Sequence, residues 1–324
     1  MEQQSNFKVE YSQRLDLFLA ERLNQTRSQS ANLIKKGAVS VDGKITLKPG
    51  LKLKASQEIE IEFPQKECSV PMEIDFDVEI VYEDDSLMVI NKPSGLTVHP
   101  APSVKDATLV DWLKHKGIRL STISGEERHG IVHRLDKGTS GVMVVAKTNE
   151  AHAALAKQLE DKSMGRYYLA VIAPPLKEEI SIIDKPISRN PSNRIKMGIV
   201  QGGKEAKTAF LSLGLSKTQK EQLIACKLFT GRTHQIRVHL ESVSRQIVGD
   251  GVYGANIAKV TAERILLHAY TIYFKHPITQ KRVFFSAKFD KVFEGFLEKK
   301  FEMEKLNEKI IPEYIHNSFT DTWS

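Results

Sequence analysis

Apolar residues recur at helical spacing near the start of the chain. In RLDLFLAERL (14–23), Leu15, Phe18, Leu19 and Leu23 fall on one face, which predicts an amphipathic helix. The next segment, TRSQSANLIKKG, predicts a second helix. The pattern then changes to short alternating runs, which indicate strands.

Turn residues mark where these first elements begin and end. Thr26 or Ser28 is expected to cap the second helix, and Gly37 to stop it. Asp42-Gly43 lies between the alternating runs AVSV and KITL, which predicts a tight β-hairpin. LKLKASQEIEIEF continues as strand, so the predicted order is helix, helix, hairpin, strand.

The pattern divides the chain into four parts. Residues 12–63 form the first unit, and residues 64–77, which have two prolines and no periodicity, are typical of a linker. Residues 78–290 alternate strands with a few helices. Residues 291–324 are predicted to be a helical extension, and we expect its last dozen residues to be poorly ordered.

The helices of the third part are too few and too irregular for a doubly wound parallel sheet. Its strand-like runs, such as GRYYLAVIA and RILLHAYTIYF, are rich in aromatic and β-branched residues. We therefore expect an α+β fold. A small helix-helix-hairpin domain would precede a domain with a mixed, mainly antiparallel sheet flanked by helices.

Composition and charge indicate the environment and the class of partner. The chain is 41% hydrophobic and has neither an apolar run of membrane-spanning length nor a signal core, so we expect a cytoplasmic protein. Its net charge of +7 favours a polyanionic partner. Between residues 27 and 54, seven cations accompany a single acid. A phosphate-contacting surface has this pattern, and so does a solvated basic face.

This basic segment also resembles a known domain. RLDLFLAERL, TRSQSANLIKKG and VDGK, in this order, are similar to the S4-like RNA-binding domain shared by a small-subunit ribosomal protein and several tRNA and rRNA enzymes. In that family the second helix and the hairpin grip structured RNA. The resemblance spans about residues 12–63 and implies RNA contacts for Arg27, Lys35, Lys36 and Lys44.

The sequence lacks motifs for cofactors and metals. It has no glycine-rich nucleotide loop of either standard spacing. HGIVH (129–133) lacks the glutamate of a zinc helix, and His234 and His239 would point in different directions from a helix. Cys68 and Cys226 are far apart and in no ligand-like spacing. We therefore expect no disulfide, no metal and no cofactor.

The candidate chemistry is concentrated in GIVHRLDKGTSGVMVVAK (130–147). Asp136 lies there between Arg134 and Lys137, in a glycine-containing turn before an apolar strand. Nearby cations lower the pKa of a carboxyl group, so Asp136 would stay ionised and could act as a nucleophile or a base. An aspartate that only caps the bend at Gly138 would have the same local sequence.

Five further segments connect this motif to a family. VYEDDSLMVINKPSGLTVHP, HRLDKGTSG, RYYLAV, TGRTHQIRVHL, IVGDGVYG and LLHAYTIYFKHP, in this order, resemble the RluA/RluD family of RNA pseudouridine synthases. The resemblance spans about residues 78–277 and implies a pseudouridine synthase fold. The family's ribosomal RNA members also place an S4-like domain before the catalytic domain.

The resemblance implies roles for four residues of this chain. Asp136 matches the catalytic aspartate. Tyr168, the second tyrosine of RYYLAV, matches the tyrosine that lies against the uracil ring, and Tyr167 is its neighbouring alternative. Arg232 of TGRTHQ matches the basic residue that pairs with the aspartate. Arg134 matches the arginine that can enter the RNA stack where the target base leaves.

The implied reaction moves uracil from an N1 to a C5 bond with the sugar, without metal or cofactor, after the base has been flipped out of the RNA. The glycines around Asp136 would let the RNA backbone come close. The expected substrate is large-subunit ribosomal RNA, and ribosomal subunit precursors are candidate partners of the monomer. A tRNA pseudouridine synthase and an RNA-binding assembly factor with dispensable catalysis are the alternatives.

Overall fold

The computed structural model describes residues 4–23, 27–63, 73–101, 104–123, 128–254 and 262–321. Thr26, Cys68 and most of the predicted linker lie outside these described residues. The chain divides into two compact units, residues 1–72 and residues 73–324. Among the described helices, none is long and apolar enough to cross a membrane.

The first unit consists of two helices and a four-stranded antiparallel sheet. Its elements are β1 (Gln4–Lys8), α1 (Leu15–Arg22), α2 (Arg27–Lys35), β2 (Val39–Val41), β3 (Lys44–Ile45) and β4 (Glu58–Glu62), with strand order β1-β4-β2-β3. The predicted order of helix, helix, hairpin and strand is confirmed. The structure adds β1, which pairs with β4 from a distant part of the chain and has no local signal in the sequence.

The turns and the core of the first unit follow from the residue types in the local sequence. Asp42 and Gly43 have φ values of 50° and 72°, as a two-residue hairpin requires. Gly37 ends α2 with a φ of 76°, and its N–H donates to the carbonyl of Ile34 at 3.0 Å. The core residues all have side chains shielded from water, and they include Leu15, Phe18, Leu19, Ile34, Ile59 and Ile61.

The second unit is built on a ten-stranded sheet. Its strands, with a separate hairpin formed by β10 and β11, are β5 (Glu79–Glu83), β6 (Leu87–Lys92), β7 (Ser140–Ala146), β8 (Gly165–Ala173), β9 (Ile180–Asp184), β10 (Ile187–Arg189), β11 (Met197–Ile199), β12 (Lys207–Leu215), β13 (Gln222–Leu228), β14 (Gln246–Ile247), β15 (Leu267–Lys275) and β16 (Arg282–Ser286). The main order is β5-β6-β7-β15-β8-β13-β12-β9, with β14 beside β8 and β16 beside β15. Of the described strand pairs, β7 and β15 alone are parallel, so the predicted mixed, mainly antiparallel sheet is confirmed.

Helices cover both faces of this sheet. They are α3 (Leu109–His115), α4 (Asn149–Glu160), α5 (Gln235–Glu241), α6 (Lys291–Lys300), α7 (Met303–Asn307) and α8 (Pro312–Asp321). The core on one face takes side chains from α3, α4 and α5, and the core on the other takes them from α6, α7 and α8. Because side chains alternate along a strand, β8 directs Tyr168 into the first core and Tyr167 into the second.

The expectation that the last dozen residues are poorly ordered is wrong for the part that the structure describes. Helix α8 buries Ile315 and Phe319, which lie four residues apart on one face. Phe319 stacks on Tyr167 with ring centroids 5.4 Å apart, and the Tyr167 hydroxyl is 2.9 Å from Nδ1 of His316. Polar residues lie between these two positions, so the composition of the segment alone does not indicate its apolar face.

Candidate active site

A pocket of about 290 Å³ opens beside the turn that precedes β7. Its walls come from that turn, from β8, and from the segment that joins β13 to α5. The structure brings all four residues marked by the resemblance to this pocket, because its lining includes Arg134, Asp136, Tyr168 and Arg232.

The turn that carries Asp136 is held by the segment NKPSG. The Ser94 hydroxyl donates to the carbonyl of Gly138 at 2.7 Å. The Lys92 ammonium donates to the carbonyls of Pro93 and Leu96, both at 2.8 Å, and to that of Lys137 at 3.3 Å. Burial lowers the pKa of Lys92 to about 7, although the charge of Asp136 opposes this effect. The backbone next to Asp136 is therefore fixed by two side chains of a second segment, those of Lys92 and Ser94.

Packing within the protein accounts for Gly138 in this turn and for Gly141 at the start of β7. A Cβ atom at Gly138 would lie 2.9 Å from Cγ2 of Ile265. At Gly141 a Cβ atom would lie 2.1 Å from the carbonyl oxygen of Ala269, on the parallel neighbour β15. Contact with RNA is not needed to account for either glycine.

Asp136 pairs with Arg237 and not with Arg232. Its carboxylate is 3.5 Å from Nη1 of Arg237 and 3.8 Å from Nε2 of His234, and its side chain is 20% exposed. Arg232 instead donates through Nε to the carbonyl of Glu205 at 2.9 Å. The expectation for Arg232 is corrected because this residue precedes α5, whereas Arg237 lies within the helix on the side facing the carboxylate.

A second carboxylate orients Arg237. Its Nε and Nη2 atoms donate to the two oxygens of Asp250, both at 2.7 Å, which is the bidentate geometry of a strong ion pair. Burial lowers the pKa of Arg237, but the hydrogen bond and charge of Asp250, with a further contribution from Asp136, raise it overall. Burial raises the pKa of Asp250, yet the hydrogen bond and charge of Arg237 lower it overall. Both groups are therefore ionised beside Asp136.

His234 occupies an unusual backbone position at the start of α5. Its φ of 57° is in the left-handed region, which costs about 1 kcal/mol or more for a residue other than glycine. Its Nδ1 is 2.9 Å from the hydroxyl of Tyr253, which itself accepts from the N–H of Met197 at 2.8 Å. Burial lowers the pKa of His234 although the charge of Asp136 opposes this. In the tautomer whose Nδ1 accepts from the Tyr253 hydroxyl, the neutral ring directs an Nε2–H group toward Asp136.

Of the two adjacent tyrosines, Tyr168 lines the pocket with Asp136, and Tyr167 packs under α8. Burial raises the pKa of Tyr168, and the charge of Asp136 raises it further. Tyr168 is therefore neutral and close enough to Asp136 to sense its charge. Among its described lining residues, the pocket thus contains one carboxylate, that of Asp136, beside an aromatic ring.

The residues predicted to contact RNA differ in whether their side chains are paired with other groups of the protein. Arg134 donates to Nε2 of His99 at 3.1 Å at the pocket. Arg27 pairs with the buried carboxylate of Asp16 at 2.8 Å, although its side chain is 57% exposed. The three lysines predicted to contact RNA, namely Lys35, Lys36 and Lys44, are all exposed on the first unit.

Sequence reasoning missed four residues that support the site. Arg237 and His234 were present in TGRTHQIRVHL, and knowing that α5 begins at Gln235 would have separated Arg237 from Arg232. Tyr253 lies in IVGDGVYG and Lys92 in NKPSG, but the contacts of both depend on distant segments. Among the described residues, no cluster of His, Cys, Asp and Glu could hold a metal ion.

Known proteins share this arrangement of units. The model of the RNA pseudouridylate synthase family matches residues 86–242, and the S4 domain model matches residues 13–59. An RNA pseudouridine synthase of Helicobacter pylori, described as uncharacterised, is 46% identical over 94% of this chain and 95% of its own length. The ribosomal large subunit pseudouridine synthase D of Zymomonas mobilis is 40% identical over 85% of this chain and 89% of its own.

A solved structure shares the fold. The human RNA pseudouridylate synthase domain-containing protein 1 aligns with a TM-score of 0.57 at 23% identity, over 74% of this chain and 97% of its own. The length and level of the sequence matches show more than fold. The chain belongs to the RluA/RluD-like family of RNA pseudouridine synthases, isomerases that act on RNA, and it carries an N-terminal S4 RNA-binding domain.

Proposed function

We propose that this enzyme isomerises specific uridines of large-subunit ribosomal RNA, with Asp136 as its catalytic carboxylate. The observation that carries the proposal is the placement of Asp136 in the pocket. Its carboxylate is partly exposed, is paired with Arg237 at 3.5 Å and is near the ring of Tyr168. No other acidic side chain is among the described residues that line this pocket.

The reaction is an isomerisation in which one bond between uracil and the sugar replaces another. The bond from C1′ to N1 breaks, a bond from C1′ to C5 forms, the proton on C5 leaves and N1 gains a proton. Asp136 would act as a nucleophile at the nucleoside or as a base toward the sugar, and in both roles Arg237 would orient its carboxylate. Tyr168 would lie against the uracil while it turns, inside a pocket that limits its escape.

The target base must first leave the RNA stack, at a cost of a few kcal/mol. Stacking of the flipped base on Tyr168 would return about 1–3 kcal/mol, and contacts with the RNA backbone would supply the rest. Arg134 lines the pocket and would occupy the space that the base leaves. Its bond to His99 would hold it there before RNA binds.

Ribosomal RNA is favoured by two observations. An S4 domain precedes the catalytic unit and exposes basic residues, as a large folded RNA would require. Similar proteins of this arrangement are named ribosomal large subunit pseudouridine synthase D. We propose that the enzyme acts as a monomer in the cytoplasm, on ribosomal RNA or on precursors of the large subunit.

Asp136→Asn tests the catalytic assignment. We expect the variant to release no tritium above background from RNA labelled at C5 of uridine, because the amide can neither attack the nucleoside nor take up a proton. RNA binding should change less than threefold, since the side-chain volume is kept. Asp85→Asn removes an exposed carboxylate outside the pocket and should behave like the wild type. Undiminished tritium release by Asp136→Asn would refute the assignment.

The substrate is tested by mapping pseudouridines in ribosomal and transfer RNA from cells that lack this protein. Loss of modification in large-subunit RNA is the expected result, and the wild-type gene should restore it while the Asp136→Asn gene should not. Loss confined to transfer RNA would refute the ribosomal assignment. Normal modification together with defective subunit assembly would favour an assembly factor.

A further inference from the structure

The pocket contains an arginine for which the described residues offer no partner. Arg166 lies on β8 two positions before Tyr168, so both side chains point to the same face of the sheet. The Nε atom of Arg166 is buried and has no hydrogen-bond acceptor among the described residues. Burial, and then the positive charge of Arg166, lower the pKa of His133. The same charge opposes the rise that burial causes in the pKa of Tyr168, and all three side chains line the pocket, so the guanidinium is close to both rings.

The other arginines of the pocket are all held by the protein. Arg237 is paired with Asp250 and Asp136, Arg134 donates to His99, and Arg232 donates to a main-chain carbonyl. Arg166 is partly exposed, and burying its Nε–H group without an acceptor costs stability because this donor loses its bond to water. A group kept in this state is suited to an acceptor that arrives with the substrate.

The surroundings of Arg166 leave room for such an acceptor. Gly231 lies beside the guanidinium, and a Cβ atom there would be 3.2 Å from Nη2 of Arg166. Lys162, an exposed residue at the edge of the same pocket, also has no ion pair among the described residues. The two cations, with the bare backbone of Gly231, form a positively charged subsite, which we call the Arg166 subsite.

We propose that the Arg166 subsite binds a phosphate of the RNA backbone next to the flipped uridine. This inference rests on the proposed function, because it requires the uridine to occupy the pocket of Asp136 and Tyr168. A guanidinium presents parallel N–H groups that fit two oxygens of a phosphate, and Lys162 adds charge at the rim. Arg166 is then a substrate-binding residue that positions the nucleotide by its backbone while Tyr168 contacts its base.

A phosphate fits this position better than an oxygen of the uracil. Two residues along a strand are separated by about 7 Å, so a base against Tyr168 places its sugar and phosphate, rather than its own ring, toward Arg166. Lys162 is exposed at the rim, where the RNA backbone must pass when a base enters the pocket. Cations at a rim suit an anion that stays partly in water.

The test compares Arg166→Met, which keeps most of the apolar stem, with the matched control Arg119→Met. Arg119 is an exposed arginine of the same unit and does not line the pocket. The RNA is whichever fragment the wild-type enzyme modifies, ribosomal or transfer, so the result does not depend on the identity of the substrate. We expect Arg166→Met to weaken binding by on the order of 10- to 100-fold, the loss typical of a charge-assisted hydrogen bond, and Arg119→Met to have little effect.

Stability separates a binding role from a structural one. Because Arg166 gives up no partner among the described residues, Arg166→Met should have a melting temperature equal to or above that of the wild type. Arg166→Lys, which keeps the charge but not the fork, should show an intermediate loss of binding. A clear fall in melting temperature together with unchanged RNA affinity of the folded enzyme would overturn the proposal.

The phosphate itself is identified with RNAs in which one linkage near the target uridine is a neutral methylphosphonate. At one linkage the wild type should lose affinity, while Arg166→Met and Arg166→Lys should lose much less, because they already lack the full contact. Equal losses in the wild type and the variants at every linkage would show that Arg166 binds no phosphate and would overturn the proposal. Tritium release by Asp136→Asn tests the proposed function, whereas the methylphosphonate RNAs test only the phosphate contact of Arg166. Failure of one can therefore be distinguished from failure of the other.

Discussion

Replacement of Arg237 by methionine would leave a buried carboxylate without its partner. The side chain of Asp250 is 1% exposed, and in the native structure it accepts two hydrogen bonds of 2.7 Å from Arg237. Removing one member of a buried ion pair costs about 3–5 kcal/mol, because the remaining charge is desolvated and unpaired. For a unit of this size each kcal/mol corresponds to about 2–4 °C, so the melting temperature should fall by roughly 6–20 °C.

The assay is urea unfolding of the wild type, Arg237→Met, Asp250→Asn and the double variant. Asp250 also accepts main-chain hydrogen bonds from Val252 and Tyr253, which the amide oxygen of asparagine can keep. The double variant should therefore be more stable than Arg237→Met, by about 1 kcal/mol or more, since it has no unpaired charge. A loss below 1 kcal/mol in Arg237→Met, or strictly additive single losses, would refute this reasoning.

The pH dependence of the same variants has a definite sign. Burial raises the pKa of Asp250, but the hydrogen bond and charge of Arg237 lower it overall, so the pair stabilises the fold above the ordinary carboxyl pKa. This contribution is lost as the pH falls through the lowered pKa of the folded state. In Arg237→Met only the main-chain hydrogen bonds of Val252 and Tyr253 still oppose the effect of burial, so Asp250 takes up a proton at higher pH than in the wild type. The stability difference between the wild type and this variant should therefore narrow as the pH falls through the pKa of Asp250, first that of the folded variant and then that of the folded wild type.

Two further predictions concern other parts of the chain. Lys35→Glu combined with Lys36→Glu should weaken RNA binding. If both lysines contact phosphates, the slope of log K against log salt concentration should decrease in magnitude by about 1.4 to 1.8, and an unchanged slope measured by filter binding would contradict this. Burial lowers the pKa of Lys92 from 10.5 to about 7, so the unfolded chain binds more protons than the folded one between these values. The unfolding free energy of the wild type relative to Lys92→Met should therefore increase from pH 7 to pH 9.5 in urea titrations, and a constant difference would show that Lys92 is not perturbed.

Local rules made much of the fold predictable. The hairpin at Asp42 and Gly43 depends on backbone torsions that few residues adopt, and its signal is contained in two positions. The placement of Tyr168 follows from strand alternation once one face of β8 is known. Strand β1 and helix α8 were not predictable, because β1 is stabilised by pairing and α8 by packing with distant parts of the chain.

The site was predictable as a set of segments but not as a set of contacts. Asp136 and Tyr168 were found because each stands in a distinctive motif. The partner of Asp136 was misassigned because Arg232 and Arg237 lie in one motif, and only the left-handed turn at His234 and the start of α5 decide which one reaches the carboxylate. The sequence did not indicate a role for Arg166, because whether its Nε atom has a hydrogen-bond acceptor depends on residues that surround it only in the folded protein.

The two faces of β8 have a consequence for folding during synthesis. A slip of one residue in this strand would exchange Tyr167 and Tyr168 and would also move Arg166 from the pocket face toward the apolar core under α8. The stack of Phe319 and the bond of His316 distinguish the correct register, but His316 follows Tyr167 by 149 residues. At ordinary translation rates this separation is about 7–30 s. During that interval the register of β8 depends on strand pairing and on the side chains of its other face, and the contacts of α8 with Tyr167 form last.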